Sequence, residues 1–373
     1  MTTPHFTVDR TALARELSLA IGAVERKTTI PILGNVKLEA VNGDRPPQLR
    51  IHTTDLELAF ESMCLAEVRG SGSITLPAKR LLEYIAALPD GPVEMKIGAN
   101  QWASITSGRA KSRIAGMSSE SFPVHTEAPP ATLTIPAAAF ARLVKQTAYA
   151  VSQEESRFTL NGALLEATGS ELRMVATDGH RLAMAEIPSN AAKSRLLVSR
   201  KALVEVTRLA GNAQGGAEVQ ISSDGNNVFF RIDERSLTAR HLTGNFPDYQ
   251  RVVPKTLTGS AVVERAALIG TINRVSGFAD ERSRAIKVGF KNGEISLAAS
   301  SSEIGDSEES VPAEVTGPDV VAGFNAGYIL DFLKSVGADK VTLRFENATT
   351  AITLEPNTEG GGTCRCVIMP MRI

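Results

Sequence analysis

Apolar and polar positions along this 373-residue chain follow one order of patterns three times over, at a spacing of ~125 residues. Each round opens on a short alternating run that passes into apolar positions three and four apart. The first is Phe6–Val24, FTVDRTALARELSLAIGAV; the second is Leu133–Val151, LTIPAAAFARLVKQTAYAV; the third is Ala261–Val275, AVVERAALIGTINRV. Asp9, Pro136 and Glu264 stand where a helix would begin. Leu13, Leu17 and Ile21 form one buried stripe, and Phe140, Leu143, Val144 and Ala148 another.

Period-two runs follow each helix. Val36–Ala40 and Leu49–Thr53 flank Asn42-Gly43, Ala163–Ala167 and Leu172–Ala176 flank Thr168-Gly169-Ser170, and Ile286–Phe290 and Ile295–Ala299 flank Asn292-Gly293. Such alternation around turn residues predicts antiparallel hairpins. Helical spacing returns at Pro77–Leu88, Ser199–Ala210 and Asn325–Val336. A second hairpin comes next: Val93–Ile97 with Ala103–Ser107, Glu218–Ser222 with Val228–Ile232, Val341–Phe345 with Ala351–Leu354. Each round closes on a strand and a proline, at Arg113–Pro123, Leu237–Pro247 and Cys364–Pro370. The pattern predicts an α+β protein of three repeated domains, each with two helices on one face of an antiparallel sheet. Val124–Thr132 and Pro254–Ser260 read as linkers, which sets the domains at 1–127, 128–256 and 257–373. Gly360-Gly361-Gly362 reads as a flexible loop.

Chemistry gathers at Val175–Ala185, VATDGHRLAMA. Asp178-Gly179 predicts a tight turn that presents Thr177, His180 and Arg181 beside Leu182. A polar tip on an apolar wall begins many binding pockets; an ordinary surface loop has the same composition. A hydrolase reading of Asp178 and His180 lacks a nucleophile elbow, a phosphate loop or a metal set, so a turn-former beside a pocket wall fits better.

Composition narrows the partners. The net charge is −1 and aromatics make up 5%, which argues against a polycation and against a stacking platform for single strands. Three cysteines without a framework indicate a reducing compartment, and Cys364-x-Cys366 lacks the second pair a zinc site needs. No run reaches membrane-spanning length and no signal segment is evident, so a cytoplasmic protein is expected. Within this neutral chain the predicted helices are basic. They carry Arg10, Arg15, Lys79, Arg80, Arg142, Lys145, Arg200, Lys201, Arg208, Arg265, Arg274 and Lys334 against Glu16, Glu83, Glu205, Glu264 and Asp331. A single such helix is usually a solvated face. Six on one surface would attract a phosphate backbone without reading its sequence. Two loops are also complementary: Arg109, Lys111 and Arg113 in the first repeat, and Glu303, Asp306, Glu308 and Glu309 in the third. They suit head-to-tail association of two copies, or the second is an unrelated acidic loop.

Ile30–Asn35 (IPILGN), Leu160-Asn161-Gly162, Ala176–Leu182 (ATDGHRL), Asn245–Pro254 (NFPDYQRVVP) and Met369-Pro370-Met371-Arg372-Ile373 together make the chain resemble the bacterial sliding clamps, the β subunits of the DNA polymerase III holoenzyme. The resemblance covers essentially the full length. It implies the DNA clamp fold: two protomers closed head to tail into a ring, helices facing duplex DNA and sheets outside, with no catalysis, cofactor or metal. Lys27, Arg80 and Arg157 match or adjoin family positions that touch DNA, joining Arg142, Lys145, Arg200, Lys201 and Arg208 from the basic helices. Phe158-Thr159 stand where some members carry paired tyrosines.

The resemblance further implies a hydrophobic cleft that takes short extended peptides from the replicative polymerase, the clamp loader and repair proteins. By motif match it uses Leu160, Thr177, Gly179, His180, Arg181, Leu182, Pro247, Arg251, Val252, Asn325, Tyr328, Met369, Pro370, Met371 and Arg372. Methionine adapts to several partners, and the polar groups can hold a peptide backbone. The dimer interface would join Arg109, Lys111, Arg113 and Ile114 of one copy to Val275, Phe278, Glu303, Asp306 and Glu308 of the other. Gly116 stands where some relatives have a larger residue. A peptide-binding scaffold that forms no ring is the other reading, and the basic helices argue against it.

Overall fold

The computed structural model describes residues 3–25, 29–43, 46–124, 126–154, 156–291, 293–358 and 364–372. Lys27, Asn292, Gly360–Gly362 and Ile373 lie outside the described residues. The first repeat of elements is β1 (His5–Asp9), α1 (Arg10–Ala20), β2 (Asn35–Val41), β3 (Gln48–Thr54), β4 (Leu58–Gly70), β5 (Gly72–Pro77), α2 (Ala78–Ala87), β6 (Pro92–Ile97), β7 (Trp102–Ser107) and β8 (Ala110–Ala115). The second is β9 (Leu133–Pro136), α3 (Ala137–Thr147), β10 (Gly162–Ala167), β11 (Glu171–Thr177), β12 (Arg181–Pro188), β13 (Ser194–Ser199), α4 (Arg200–Gly211), β14 (Glu218–Ser223), β15 (Asn227–Ile232) and β16 (Arg235–Arg240). The third is β17 (Gly259–Glu264), α5 (Arg265–Val275), β18 (Ala285–Lys291), β19 (Glu294–Ser301), β20 (Gly305–Thr316), β21 (Val320–Asn325), α6 (Ala326–Ser335), β22 (Lys340–Phe345), β23 (Ile352–Pro356) and β24 (Cys364–Ile368).

Packing divides this threefold order into two units, residues 1–140 with 201–241, and residues 141–200 with 242–373. Each unit holds one antiparallel sheet of twelve strands. The first sheet takes β1–β9 and β14–β16; the second takes β10–β13 and β17–β24. The second repeat therefore contributes strands to both units. The sheets also cross repeat boundaries. In the first unit β16 pairs with β4, with Leu237 opposite Phe60; in the second β24 pairs with β12, with Cys366 opposite Ala183. The sequence pattern passes over β4, β5, β13, β20 and β21. The acidic segment read there as a loop is in fact the strand β20, and Lys111 and Arg113 likewise lie on a strand, β8.

Local chemistry explains the helices. Asp9 caps α1 through Oδ1, which accepts from the Ala12 N–H at 2.9 Å. The helix buries Leu13, Glu16 and Leu17. Burial would push the Glu16 carboxyl up, but Arg235, at 2.8 and 3.0 Å, holds it below the usual carboxylate range. Helix carbonyl ends have no partner within the helix, and arginines fill that role. Arg10 Nε donates to Ile85 O at the end of α2 (3.1 Å), and Arg208 Nη1 to Ser18 O near the end of α1 (2.8 Å). Arg265 Nη1 donates to Leu333 O in the last turn of α6 (3.3 Å). Part of the helix charge read as a DNA surface is thus committed to neighbouring helix ends.

All three cysteines are free and buried. Burial pushes Cys64 and Cys366 to about 12 and Cys364 to about 11, which leaves little thiolate for reaction. Among the described residues no helix is long and apolar enough to cross a membrane, and no group of His, Cys, Asp or Glu is arranged to hold a metal.

Candidate functional site

The turn between β11 and β12 is built from its own side chains. Thr177 Oγ1 donates to Arg181 O (2.6 Å) and accepts from Gly179 N (3.1 Å). Asp178 Oδ1 accepts from the N–H groups of His180 (2.9 Å) and Arg181 (3.0 Å). Gly179 has φ 89°, a left-handed conformation open to glycine at little cost. The Asp178 carboxylate is therefore committed to the backbone, and His180 is exposed; the acid–base pair of the hydrolase reading does not form.

Arg181 is the hub of the site. Its side chain is buried, with Nε on Asp178 Oδ2 (3.1 Å), Nη1 on Asp331 Oδ2 (2.7 Å) and Nη2 on Tyr149 O (2.6 Å). The guanidinium also lies 4.3 Å from the Tyr328 ring centroid and 5.3 Å from that of Tyr149. Arg181 thus ties the turn to α6 and to the chain after α3. Its part is to set the geometry of the turn, with Tyr328 as its platform.

Beside the hub is an apolar floor. Leu182 and Val175 are buried with Leu164, Leu197, Phe246, Tyr249 and Val367, and Leu160, Met184, Leu242 and Val253 pack against them. The segment after β16 passes over this floor and presents Pro247, Arg251 and Val252 to solvent; Arg251 pairs with Asp248 at 2.8 Å. The chain end supplies the opposite border. Met369 N donates to His180 O (3.0 Å) and Met371 N to Gly323 O (2.8 Å), so Met369, Pro370 and Met371 are fixed at both ends. Met369 is half exposed and Arg372 exposed. Asn325 differs from its expected role. Its side chain caps α6, accepting from Gly327 and Tyr328, and donates to Ser283 O. Phe246 and Tyr249 are floor residues outside the sequence assignment; two aromatic residues three apart in NFPDYQ were the available signal.

The candidate DNA residues separate into two sets. Arg80, Arg142, Lys145 and Arg200 are exposed and make no ion pair with a described carboxylate. The other described members are engaged in contacts within the chain. Lys201 Nζ pairs with the buried Asp55 carboxylate, and Arg208 is shared between Glu205 and the carbonyls of Ser18 and Leu19. Arg157 bonds Glu154 (2.8 Å) and Asp178 O (2.7 Å). Phe158 beside it is 72% exposed.

Of the candidate association residues, Lys111, Arg113 and Ile114 lie on β8 and Asp306 and Glu308 on β20. Among the described residues β8 pairs only with β7, and Gly305–Pro312 of β20 pairs only with β19. Lys111 and Arg113 alternate along the first edge, Asp306 and Glu308 along the second. Val275 is fully buried in α5 and Ile114 nearly so, so neither offers a partner the expected surface. Half-buried Phe278 remains available, together with the exposed Ile304, which joins β19 to β20 beside Glu303. Trp102 is 40% exposed under Arg113, 5.0 Å from ring centroid to guanidinium. Neither Trp102 nor Ile304 was assigned from sequence. Glu309 is held by Arg274 at 2.7 Å.

Comparison with known proteins covers the whole chain. Three family profiles match in succession, described as the N-terminal, central and C-terminal domains of the DNA polymerase III beta subunit, over residues 4–126, 134–248 and 250–372. The beta sliding clamp of Pseudomonas aeruginosa is 33% identical over 99% of this chain and 100% of its own; that of Caulobacter vibrioides is 32% identical over 98% and 99%. Among solved structures, a Pseudomonas aeruginosa sliding clamp bound to griselimycin superposes with a TM-score of 0.93 at 31% identity, over 100% of both chains. A Thermotoga maritima DNA polymerase III beta subunit does so with 0.92 at 27%, over 99% of this chain and 100% of that one.

Proposed function

Since the chain belongs to the beta sliding clamp family of DNA polymerase III, non-catalytic processivity factors, we propose that two copies close head to tail around duplex DNA through β8 of one and β20 of the other. The observation that carries this is a joint used twice within the chain. The last strand of the second repeat pairs with β4, and the last strand of the third pairs with β12. The last strand of the first repeat is β8, whose outer edge is open, and the strand equivalent to β4 and β12 is β20, also open. Aligning the repeats on their hairpin turns and helix starts carries Leu237–Phe60 and Cys366–Ala183 onto one pair, Ser112 opposite Ser307. In that register Lys111 falls opposite Glu308 and Arg113 opposite Asp306, which gives two complementary cross-strand pairs. Arg109 extends the basic edge, and Glu303, Ile304 and Phe278 lie at the far end.

Arg80, Arg142, Lys145 and Arg200, with Lys27, would meet the phosphate backbone weakly and without sequence preference, as sliding requires. The floor beside Arg181, bordered by Pro247, Val252, Met369 and Met371, would receive an extended peptide with hydrophobic end residues. The replicative polymerase, the clamp loader and repair proteins are the partners this site fits, at the replication fork in the cytoplasm.

Retention on DNA of defined topology tests the proposal. Protein loaded by a clamp loader onto a nicked circular plasmid should survive high salt and leave once the plasmid is linearised. Loss from both forms in salt would reduce the interaction to electrostatics and end the ring reading. Lys111→Glu should abolish retention, and Glu308→Lys in the same chain should restore it; failure of the second change would overturn the register.

A further inference from the structure

The segment 243–253 forms one border of the cleft, yet it has no regular strand or long helix. Its only regular element is one short turn, Tyr249–Arg251, closed by Val252 N on Tyr249 O at 3.1 Å. Pro247, Asp248, Gln250, Arg251 and Val252 face solvent, whereas Tyr249 is 4% exposed. The Tyr249 hydroxyl donates to Glu166 Oε2 (2.7 Å) and accepts from Arg173 Nη1 (2.8 Å). Both partners are fixed in turn: Arg173 Nε bonds Glu186 Oε1 (3.0 Å), and Arg195 Nε lies 3.4 Å from Glu166 Oε1. Glu166, Arg173 and Glu186 stand on the adjacent strands β10, β11 and β12. Among the described residues these two bonds are the only side-chain hydrogen bonds that join 243–253 to the sheet. Charge-assisted bonds of this kind are short and directional.

We propose that Tyr249 is a positioning residue for peptide binding: its hydroxyl latches the border segment to the sheet, so that Pro247 and Val252 stand ready before a peptide arrives. The inference rests on the cleft reading given above. A border held in one place needs no ordering at the moment of binding. Without the hydroxyl the ring of Tyr249 still fills the floor, but the segment samples positions in which the border is open. If the competent arrangement then holds about a tenth of the time, the apparent Kd rises about tenfold.

The test is Tyr249→Phe in the full chain, with a short synthetic peptide that has a polar first residue and two hydrophobic last residues. Expected are about tenfold weaker peptide binding and faster amide exchange confined to residues 250–253. Glu166→Leu, which removes the acceptor, should weaken peptide binding in the wild-type background and add nothing in the Tyr249→Phe background, because both changes break one latch. Equal peptide affinity of wild type and Tyr249→Phe, or exchange accelerated throughout the second unit, would overturn the role of Tyr249. Absence of peptide binding by the wild-type protein would instead overturn the cleft itself.

Discussion

The turn at Thr54–Leu58 in the first unit and the turn at Thr177–Arg181 in the second share one backbone design. Thr54 Oγ1 donates to Leu58 O as Thr177 Oγ1 does to Arg181 O (2.8 and 2.6 Å). Asp55 Oδ1 accepts from Glu57 and Leu58, as Asp178 Oδ1 accepts from His180 and Arg181. They differ in two side chains. Leu56 replaces Gly179 and holds φ 74°, strained for a leucine. Leu58 replaces Arg181, and the second carboxylate oxygen of Asp55 turns to Lys201. In the first unit the motif closes a sheet joint, and its ion pair comes from Lys201 on α4. In the second the arginine reaches Asp331 and Tyr149 and leaves an apolar floor beside it. Backbone hydrogen bonding specifies that a turn forms; the residue at its last position decides whether the turn seals a joint or frames a cleft.

The sharpest way to break this contrast is Arg181→Leu, which gives the second turn the residue of the first. It leaves Asp178 Oδ2 and Tyr149 O without their partner and should cost about 3 kcal/mol. Asp331 is 42% exposed and hydrates cheaply. Hydrogen exchange around 148–151 and 177–182 is the measurement, because two units make a single melting temperature ambiguous. Asp55→Ala comes next, at about 2 kcal/mol. It removes both turn bonds, whereas the half-exposed Lys201 contributes little. Exchange should accelerate at β3–β4 and leave β11–β12 unaffected. Leu56→Gly is the smallest change and has the opposite sign. It relieves the left-handed strain of a side chain that is 51% exposed, and hydrogen exchange at β3–β4 should slow by the equivalent of up to ~1 kcal/mol.

The threefold order of helices and hairpins was legible because period 3.6 and period 2 are properties of the sequence itself. Asp178-Gly179 was legible as a turn for the same reason, as was the apolar character of Leu160 and Leu182. What sequence concealed was the commitment of polar groups. Arg208, Lys201 and Arg10 look like free cations until the carbonyls and carboxylates that receive them are placed. Asn325 has the same residue type as a cap or as a ligand. β20 read as a loop because Ser307 and Glu309 occupy the half-buried positions where an alternating strand usually shows its apolar half, while Asp306 and Glu308 fill the exposed ones. Its pattern is still period two. Tyr249 was hidden differently: its partners Glu166 and Arg173 precede it by 83 and 76 residues, and no local pattern reports them.

The pairing of β12 with β24 has a consequence for biosynthesis. Ala183 leaves the ribosome long before Cys366, its neighbour in the sheet. At typical elongation rates the interval is roughly ten seconds or more. Throughout that time one edge of β12, an apolar strand, is uncovered and open to pairing with another nascent chain. Met369 and Met371, which border the cleft, emerge later still. The cleft is therefore one of the last features of the molecule to exist, and a chain that stops short of β24 should expose a sticky edge to the chaperone system before it could engage a partner.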